Sequence, residues 1–252
     1  ASTFLDVVKK VEYLVELGIN MVQPLPVYEM EDSPSIGYPG LGYQGADLYS
    51  PAFDYVVYDK EGLQDHLATV NALLTAKGLA PMTLEQLTPG VAQLKALLDL
   101  LHVYGIGVIF DVVYNHAGGF SHTYEVPESV APGGVLHGDD ESLYFWDRAA
   151  GKDDSNQSLY FTDRGFVGGL SFALWNRDVR GFLKNNARFH IQELHADGFR
   201  YDEISMLLAL NTTSGWDFCK ELTAGVRAAN PRCLQNAEYW PSEFGVPTTE
   251  VI

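Results

Sequence analysis

Strand-length segments alternate with amphipathic helical segments along this chain, and this alternation most restricts its fold. Four strands are predicted, at residues 19–27, 106–113, 196–202 and 233–238. The first is a short apolar run that ends in prolines, which is typical of a buried strand. Strands that alternate with helices favour a parallel sheet, whose functional groups gather at the carboxyl ends of the strands.

Apolar spacing and terminal residues predict the helices. Helices are expected at residues 4–17, 62–77 and 89–104, after a cap at Asn176, and at 216–229. Gly18, Gly78 and Gly105 directly follow the first three, and glycine readily adopts the left-handed conformation that ends many helices. Two stretches lack periodicity: a loop rich in Gly, Pro and Tyr at 28–59, and a longer one at 114–171 that we expect to be a functional loop or a small subdomain.

The composition excludes several partners. The 252 residues include 33 Asp and Glu against 16 Lys and Arg, a net charge of −17. This charge repels polyanions, so we expect no nucleic acid partner and no membrane partner, whereas a neutral sugar is compatible with it. Cys219 and Cys233 are too few for a disulfide scaffold. We see no apolar run of 18 residues and no signal peptide, and therefore expect a soluble, cytoplasmic protein.

Polar residues stand where the predicted strands end. Pro26 ends the first strand, Asn115 and His116 follow the second, Asp202 ends the third and Glu238 ends the fourth. Because parallel strands present their carboxyl ends at one edge, we expect these residues to converge on one mouth. This convergence favours an enzyme site over scattered surface charge.

Arg200 and Asp202 lie two residues apart on the third strand, which places them on one face, with Phe199 and Tyr201 on the other. A neighbouring guanidinium favours the ionised carboxylate, so we expect Arg200 to lower the pKa of Asp202, as a nucleophilic Asp requires. A plain structural ion pair at a sheet edge is the alternative.

Glu238 is the second candidate acid. Tyr239, Trp240 and Pro241 follow it, and apolar aromatic surroundings favour the protonated form that a general acid needs. Retaining cleavage of a glycosidic bond uses such a pair, one carboxylate ionised and one protonated. A solvated carboxylate at a strand end is the alternative.

Three further residues come from the second strand and its loop. Asp111 is expected to bond the backbone or Arg200 in a structural role. His116 can donate a hydrogen bond to a substrate hydroxyl, or be an ordinary loop histidine. Asn115 is a candidate calcium ligand through its carbonyl oxygen, although an asparagine after a strand is more often a turn residue.

Aromatic residues in the two loops suit a carbohydrate, whose C–H faces stack on flat rings. Tyr43 is the candidate for such stacking, with a packing tyrosine as the alternative. The longer loop and its flanks hold six more aromatic residues, for most of which we favour a place in a small core: Tyr144, Phe145, Trp146, Tyr160, Phe161 and Trp175.

With these residues in view, the chain resembles the α-amylase superfamily, glycoside hydrolase family 13. The resemblance rests on Asp-Val-Val-Tyr-Asn-His at 111–116, Gly-Phe-Arg-Tyr-Asp at 198–202, Glu238 at the next strand end, and Gly-Tyr-Gln-Gly-Ala-Asp-Leu-Tyr-Ser-Pro at 42–51. The four motifs occur in the family's order and span nearly the whole chain.

The resemblance implies a (β/α)8 TIM barrel, of which this chain would carry about strands two to five as part of a longer protein. Barrel segments would cover 1–116 and 171–252, with a B-type insertion subdomain at 117–170. Asp202 would be the nucleophile and Glu238 the acid/base. Arg200 and His116 would assist at the cleaved sugar, and Tyr43 would stack beneath it.

Two departures from the family pattern bear on function. The family's third acid lies in a His-Asp motif after its sixth strand, and no such motif follows Glu238 in this sequence. Family members that bind calcium or grip the leaving group often carry Lys and His three and four residues after the nucleophile, where this chain has Ser205 and Met206.

The leading prediction is a retaining enzyme of the α-amylase type that acts on α-1,4-glucans such as starch, glycogen or maltodextrin, without a cofactor other than a candidate calcium ion. A 1,4-α-glucan branching enzyme is the alternative, and a non-catalytic carbohydrate-binding relative is a second. An unrelated barrel enzyme such as an aldolase would need a Lys base or a phosphate loop near the strand ends, and we find neither.

Overall fold

A computed structural model describes residues 2–30, 41–118, 124–125, 135–136, 160–166 and 169–240. The helices are α1 Phe4–Val8, α2 Val11–Glu16, α3 Lys60–Ala76, α4 Leu84–Leu87, α5 Gly90–Val103, α6 Arg177–Glu193 and α7 Ile204–Ala229. The strands are β1 Met21–Val22, β2 Tyr28–Met30, β3 Gly45–Pro51, β4 Gly107–Val112, β5 His116–Ala117, β6 Tyr124–Glu125, β7 Val135–Leu136, β8 Phe161–Phe166, β9 Gly169–Phe172, β10 Gly198–Tyr201 and β11 Leu234–Ala237.

The centre of the fold is a four-stranded parallel sheet in the order β1-β4-β10-β11. Its strands are the four that the sequence predicts, although each is shorter than its predicted segment. Helices lie between successive strands along the chain, as in part of an α/β barrel, and the predicted fold class is confirmed. The strands approach closely at Gly198, where a Cβ would lie 2.9 Å from Cβ of Leu234 and 3.1 Å from Cγ1 of Ile109.

Local sequence signals fix most helix ends. Asp59 caps α3 by accepting a hydrogen bond from the Gly62 N–H, and Asn176 caps α6 by accepting one from the Asp178 N–H, as predicted. Gly18 and Gly105 have φ angles of 76° and 81° just past their helices, which confirms the predicted helix ends.

Two predicted helices are wrong in extent. The helix expected at 4–17 is two short helices, α1 and α2, and Val15, which fits the apolar spacing of that segment, is 41% exposed. The helix expected to begin at Trp216 begins at Ile204, because Ile204, Leu207 and Leu208 already form a buried helical stripe.

The loop expected at 28–59 contains paired strands, since β2 pairs antiparallel with β3. Beyond the parallel sheet, β5, β9 and β8 form an antiparallel sheet. Most of the predicted subdomain at 117–170 lies outside the described residues, so the domain boundaries stay a prediction.

The aromatic residues of the longer loop divide into three groups. Phe161 is buried and stacks on Phe172, as predicted for a core residue. Tyr160 and Trp175 are 48% and 59% exposed, so the prediction of a core position is wrong for them. Tyr144, Phe145 and Trp146 lie outside the described residues.

Among the described helices, none has the length and hydrophobicity that a membrane crossing requires.

Candidate active site

One guanidinium connects the carboxyl ends of β4, β10 and β11. Nη1 of Arg200 lies 2.8 Å from Oδ1 of Asp111 and 2.8 Å from Oδ1 of Asp202, and Nη2 lies 2.5 Å from Oε2 of Glu238. Register explains the first contact, because Arg200 stands directly opposite Asp111 on the neighbouring strand. The structure therefore brings the two predicted acids, Asp202 and Glu238, together at one guanidinium. It also contains the predicted bond between Asp111 and Arg200.

The faces of β10 are those that strand alternation predicts. Phe199 and Tyr201 are both buried, and their rings stack at 5.9 Å. Arg200 and Asp202 meet on the other side, at the mouth of the site.

Asp202 does not have the lowered pKa that the sequence predicts. Burial raises the pKa of its carboxyl to about 6, and this effect outweighs the opposing charge of Arg200 and the hydrogen bond from Asn115, while Asp111 and Glu238 add to the rise. The prediction counted the guanidinium but not the burial, and three carboxylates share the single positive charge. A carboxyl with a pKa near 6 is still largely ionised at neutral pH.

Asp111 completes the set of three acids. It is 3% exposed, and burial raises the pKa of its carboxyl although Arg200 and Tyr43 favour the charged form. Burial opposes the charge of Arg200, but its three carboxylate neighbours raise the guanidinium pKa above the ordinary value. The cluster holds more negative than positive charge in a partly buried space, as functional sites often do.

Asn115 positions the candidate nucleophile. Its Nδ2 donates hydrogen bonds to the main-chain oxygen and to Oδ2 of Asp202, each at 3.0 Å. Its Oδ1 bonds Nδ1 of His116, and its main-chain oxygen accepts from the Phe172 N–H.

Calcium at Asn115 stays a prediction. Both oxygens of Asn115 already accept hydrogen bonds inside the protein. In the ranges that the structure describes, no three His, Cys, Asp or Glu side chains group as metal ligands would.

His116 is 2% exposed at the start of β5, and burial lowers its pKa to about 4, so the imidazole is neutral at neutral pH. The predicted hydrogen bond from His116 to a sugar hydroxyl stays a prediction.

Tyr43 lies beside the cluster. Its hydroxyl donates to Oδ2 of Asp111 at 3.1 Å, and the Arg200 guanidinium carbon is 5.8 Å from the ring centre. Burial and the charge of Asp111 raise the pKa of Tyr43 to about 12. Gly42 permits this placement, because its φ is 84° and a Cβ there would lie 2.8 Å from the Pro26 carbonyl oxygen. The ring is half-buried, and sugar stacking on it stays a prediction.

Glu238 has polar partners, and the aromatic residues after it face elsewhere. Its Oε2 accepts from Arg200 and from the Glu203 N–H at 3.1 Å. Tyr239 packs edge-on against Trp216, at 6.4 Å between ring centres, and Trp240 is 53% exposed. The protonated state expected of Glu238 stays a prediction.

Sequence reasoning missed Glu203. This residue has φ 43° and ψ 51°, a left-handed conformation that is rare for a residue with a side chain and costs about 1–3 kcal/mol. Glycine or asparagine at this position would have indicated a left-handed conformation, but glutamate does not, so the sequence did not predict it.

The arrangement defines a class of protein: an α/β-barrel protein with an acidic site at the carboxyl ends of its strands. No model of a protein family matches the chain. It is 29% identical over 234 residues to the glycogen operon protein GlgX homolog of Haemophilus influenzae, covering 90% of this chain and 28% of that protein. It is 27% identical over 242 residues to the 1,4-α-glucan branching enzyme GlgB of Geobacillus stearothermophilus, covering 92% and 28%.

Among solved structures, the type III pullulan hydrolase from Thermococcus kodakarensis matches with a TM-score of 0.59 and 19% identity, over 94% of this chain and 33% of that chain. This likeness shows the fold. The chain resembles the α-amylase superfamily, as its motifs predict, and these relatives confirm that resemblance. It spans less than a third of the length of the curated relatives named above.

Proposed function

We propose that this chain carries the nucleophile and the acid/base of a retaining enzyme that acts on α-glucans. One observation carries the proposal: Asp202 and Glu238, at the ends of adjacent strands, contact the same guanidinium of Arg200. The two carboxyl groups are therefore no farther apart than one guanidinium can span, and a single glycosidic bond can lie between them.

The reaction has two steps. An oxygen of Asp202 attacks the anomeric carbon and forms a glycosyl ester, while the bond to the leaving oxygen breaks and that oxygen takes the proton of Glu238. Glu238, now ionised, removes a proton from the acceptor, whose oxygen attacks the anomeric carbon and releases Asp202. Each step transfers one proton, so both acids return to their starting states.

The substrate class is inferred from chemistry and from the relatives. A neutral polysaccharide suits a protein with a net charge of −17. The Tyr43 ring beside the cluster offers a flat face for a sugar. The names of the relatives refer to glycogen and α-glucan, which favours the same class for this chain.

The acceptor decides the type of enzyme. Water gives hydrolysis of the α-amylase type, which we favour, and a glucan hydroxyl gives a branching enzyme. The branching alternative is kept because GlgB matches about as well as the first relative.

A time course with the full-length protein and amylose separates these outcomes. Hydrolysis raises reducing ends in step with the loss of iodine staining. Branching lowers the staining with few new reducing ends and produces α-1,6 links. Amylose, amylopectin and pullulan all left unchanged would overturn the proposal and favour a non-catalytic binding protein.

A further inference from the structure

Three hydrogen bonds hold Glu238 to the end of β10 and to the turn that follows it. The Glu238 N–H donates to the Tyr201 carbonyl at 2.9 Å, the Ile204 N–H donates to the Glu238 carbonyl at 3.0 Å, and the Glu203 N–H donates to Oε2 of Glu238 at 3.1 Å. The first two fix the backbone of Glu238. The third reaches its side chain, and it exists because the chain turns sharply at Glu203.

The left-handed conformation of Glu203 directs this N–H. In the described ranges, His195 and Glu203 are the non-glycine residues with positive φ, at 55° and 43°. They lie on either side of β10, but only Glu203 adjoins the acidic cluster. Strained backbone of this kind persists where the surroundings hold it, and it gathers at functional sites.

Oxygen Oε2 of Glu238 thus receives two donors, the Glu203 N–H and Nη2 of Arg200. A carboxylate oxygen has two lone pairs, and neither a main-chain N–H nor a guanidinium can accept a hydrogen bond in return. With both lone pairs of Oε2 occupied, the only position left for a proton is Oε1.

We infer that Glu203 is a positioning residue: its left-handed main-chain N–H acts with Arg200 to reserve Oε2 as an acceptor and to confine the transferable proton of Glu238 to Oε1. This inference rests on the proposed function, in which Glu238 delivers that proton to the leaving oxygen. The role belongs to the main-chain N–H of Glu203.

The test compares two leaving groups in the full-length protein. Amylopectin needs a proton on its leaving oxygen, whereas α-maltosyl fluoride releases fluoride with little help from an acid. Valine is β-branched and disfavours positive φ, so Glu203→Val withdraws the N–H. We expect kcat/KM on amylopectin to fall about 30-fold or more and kcat/KM on the fluoride to change by less than about 3-fold.

Conservative variants at the same position supply the rescue. Glu203→Gly and Glu203→Asn both tolerate positive φ and keep the N–H, so each should restore the ratio of the two rates to within about 3-fold of the unmodified protein. His195→Val is the matched control, because it places the same strain at the other end of β10. It should lower thermal stability without changing the ratio.

If Glu203→Val does not fold, an ester bond at position 203, introduced with the α-hydroxy analogue of glutamate, removes the N–H and leaves the side chain. An equal loss on both substrates in the folded variant, or failure of both Gly and Asn to restore the ratio, would overturn the inference. Cleavage of neither substrate by the unmodified protein would instead overturn the proposed function.

Discussion

The two ends of β10 carry similar residues in opposite circumstances. At the amino end, Oδ2 of Asp197 accepts from the Val108 N–H at 2.8 Å and bonds Nε2 of His102 at 2.8 Å, and its side chain is 41% exposed. At the carboxyl end, Asp202 is 10% exposed in its side chain and shares one guanidinium with two other acids. Each end also has a residue with positive φ, His195 and Glu203.

The difference shows that one end of β10 contributes to stability and the other end to the proposed chemistry. Asp197 is partly exposed and joins α5 to the start of β10 through its hydrogen bonds, so it supports the fold. Burial places Asp202 in surroundings that disfavour its charge, so its ionised form opposes folding. In barrel proteins the amino ends of the strands serve stability and the carboxyl ends serve catalysis, and here the contrast lies within one short strand.

Exchanging each aspartate for asparagine should produce the largest difference between the two ends. Asp202→Asn removes the proposed nucleophile, and we expect kcat/KM on amylopectin to fall by about 10⁴-fold or more. Asp197→Asn should stay within about 3-fold of the unmodified protein, because it lies at the opposite end of the strand. Release of reducing ends measures both. Similar losses in the two variants would contradict the assignment of chemistry to the carboxyl end.

Arginine at position 200 should not be replaceable by lysine. A single ammonium cannot reproduce the planar fork that reaches three carboxylates, so Arg200→Lys should lower kcat/KM about 100-fold. Arg188→Lys is the matched control, since Arg188 is exposed on α6 and bonds Gln192. Full activity of Arg200→Lys would show that charge alone is sufficient at this site.

The stabilities of the same aspartate variants should move in opposite directions. At pH 7.5, Asp202→Asn should raise the free energy of unfolding by about 1–3 kcal/mol, because folding raises the pKa of Asp202 to about 6. The sign follows from linkage: this destabilisation is small below about pH 4, grows as pH rises from about 4 to 6, and is complete above pH 6. The gain should therefore vanish in acid.

Asp197→Asn should instead lower the free energy of unfolding by about 1 kcal/mol, because it weakens a hydrogen bond. Urea unfolding at pH 7.5 and pH 4 measures both variants. A gain for Asp202→Asn that persists at pH 4 would show that the ionised form is not its source.

The smallest expected effect is on the pH profile. Because Asp202 must be ionised to attack, kcat/KM should fall as pH drops below about 6. Asn115→Ala removes a donor to the carboxylate and should move this acid limb to higher pH by about 0.5–1 unit. Asn71→Ala is the control, because Asn71 makes two comparable hydrogen bonds to Met82 away from the site. An unmoved limb in Asn115→Ala would remove Asn115 from the positioning of Asp202.

Much of this contrast is visible in the sequence, since strand periodicity places Arg200 with Asp202 and the motif order places both beside Glu238. The pKa shift of Asp202 was predicted with the wrong sign, because burial and the number of neighbouring acids depend on three strands at once. The same limit explains the missed hydrogen bond of Glu203, which comes from a backbone conformation that its residue type does not announce. The helical spacing of Ile204, Leu207 and Leu208 could have predicted that α7 begins before Trp216.

The two buried cysteines can report how often this protein opens, because their thiols react only when they become accessible. Cys219 and Cys233 are free thiols under the packed face of α7 and beside β11, and burial raises their pKa values to about 12 and about 11. A thiol-specific reagent therefore finds scarcely any thiolate while the structure is closed. The rate of labelling reports how often the scaffold behind the acids loosens, without reference to any substrate.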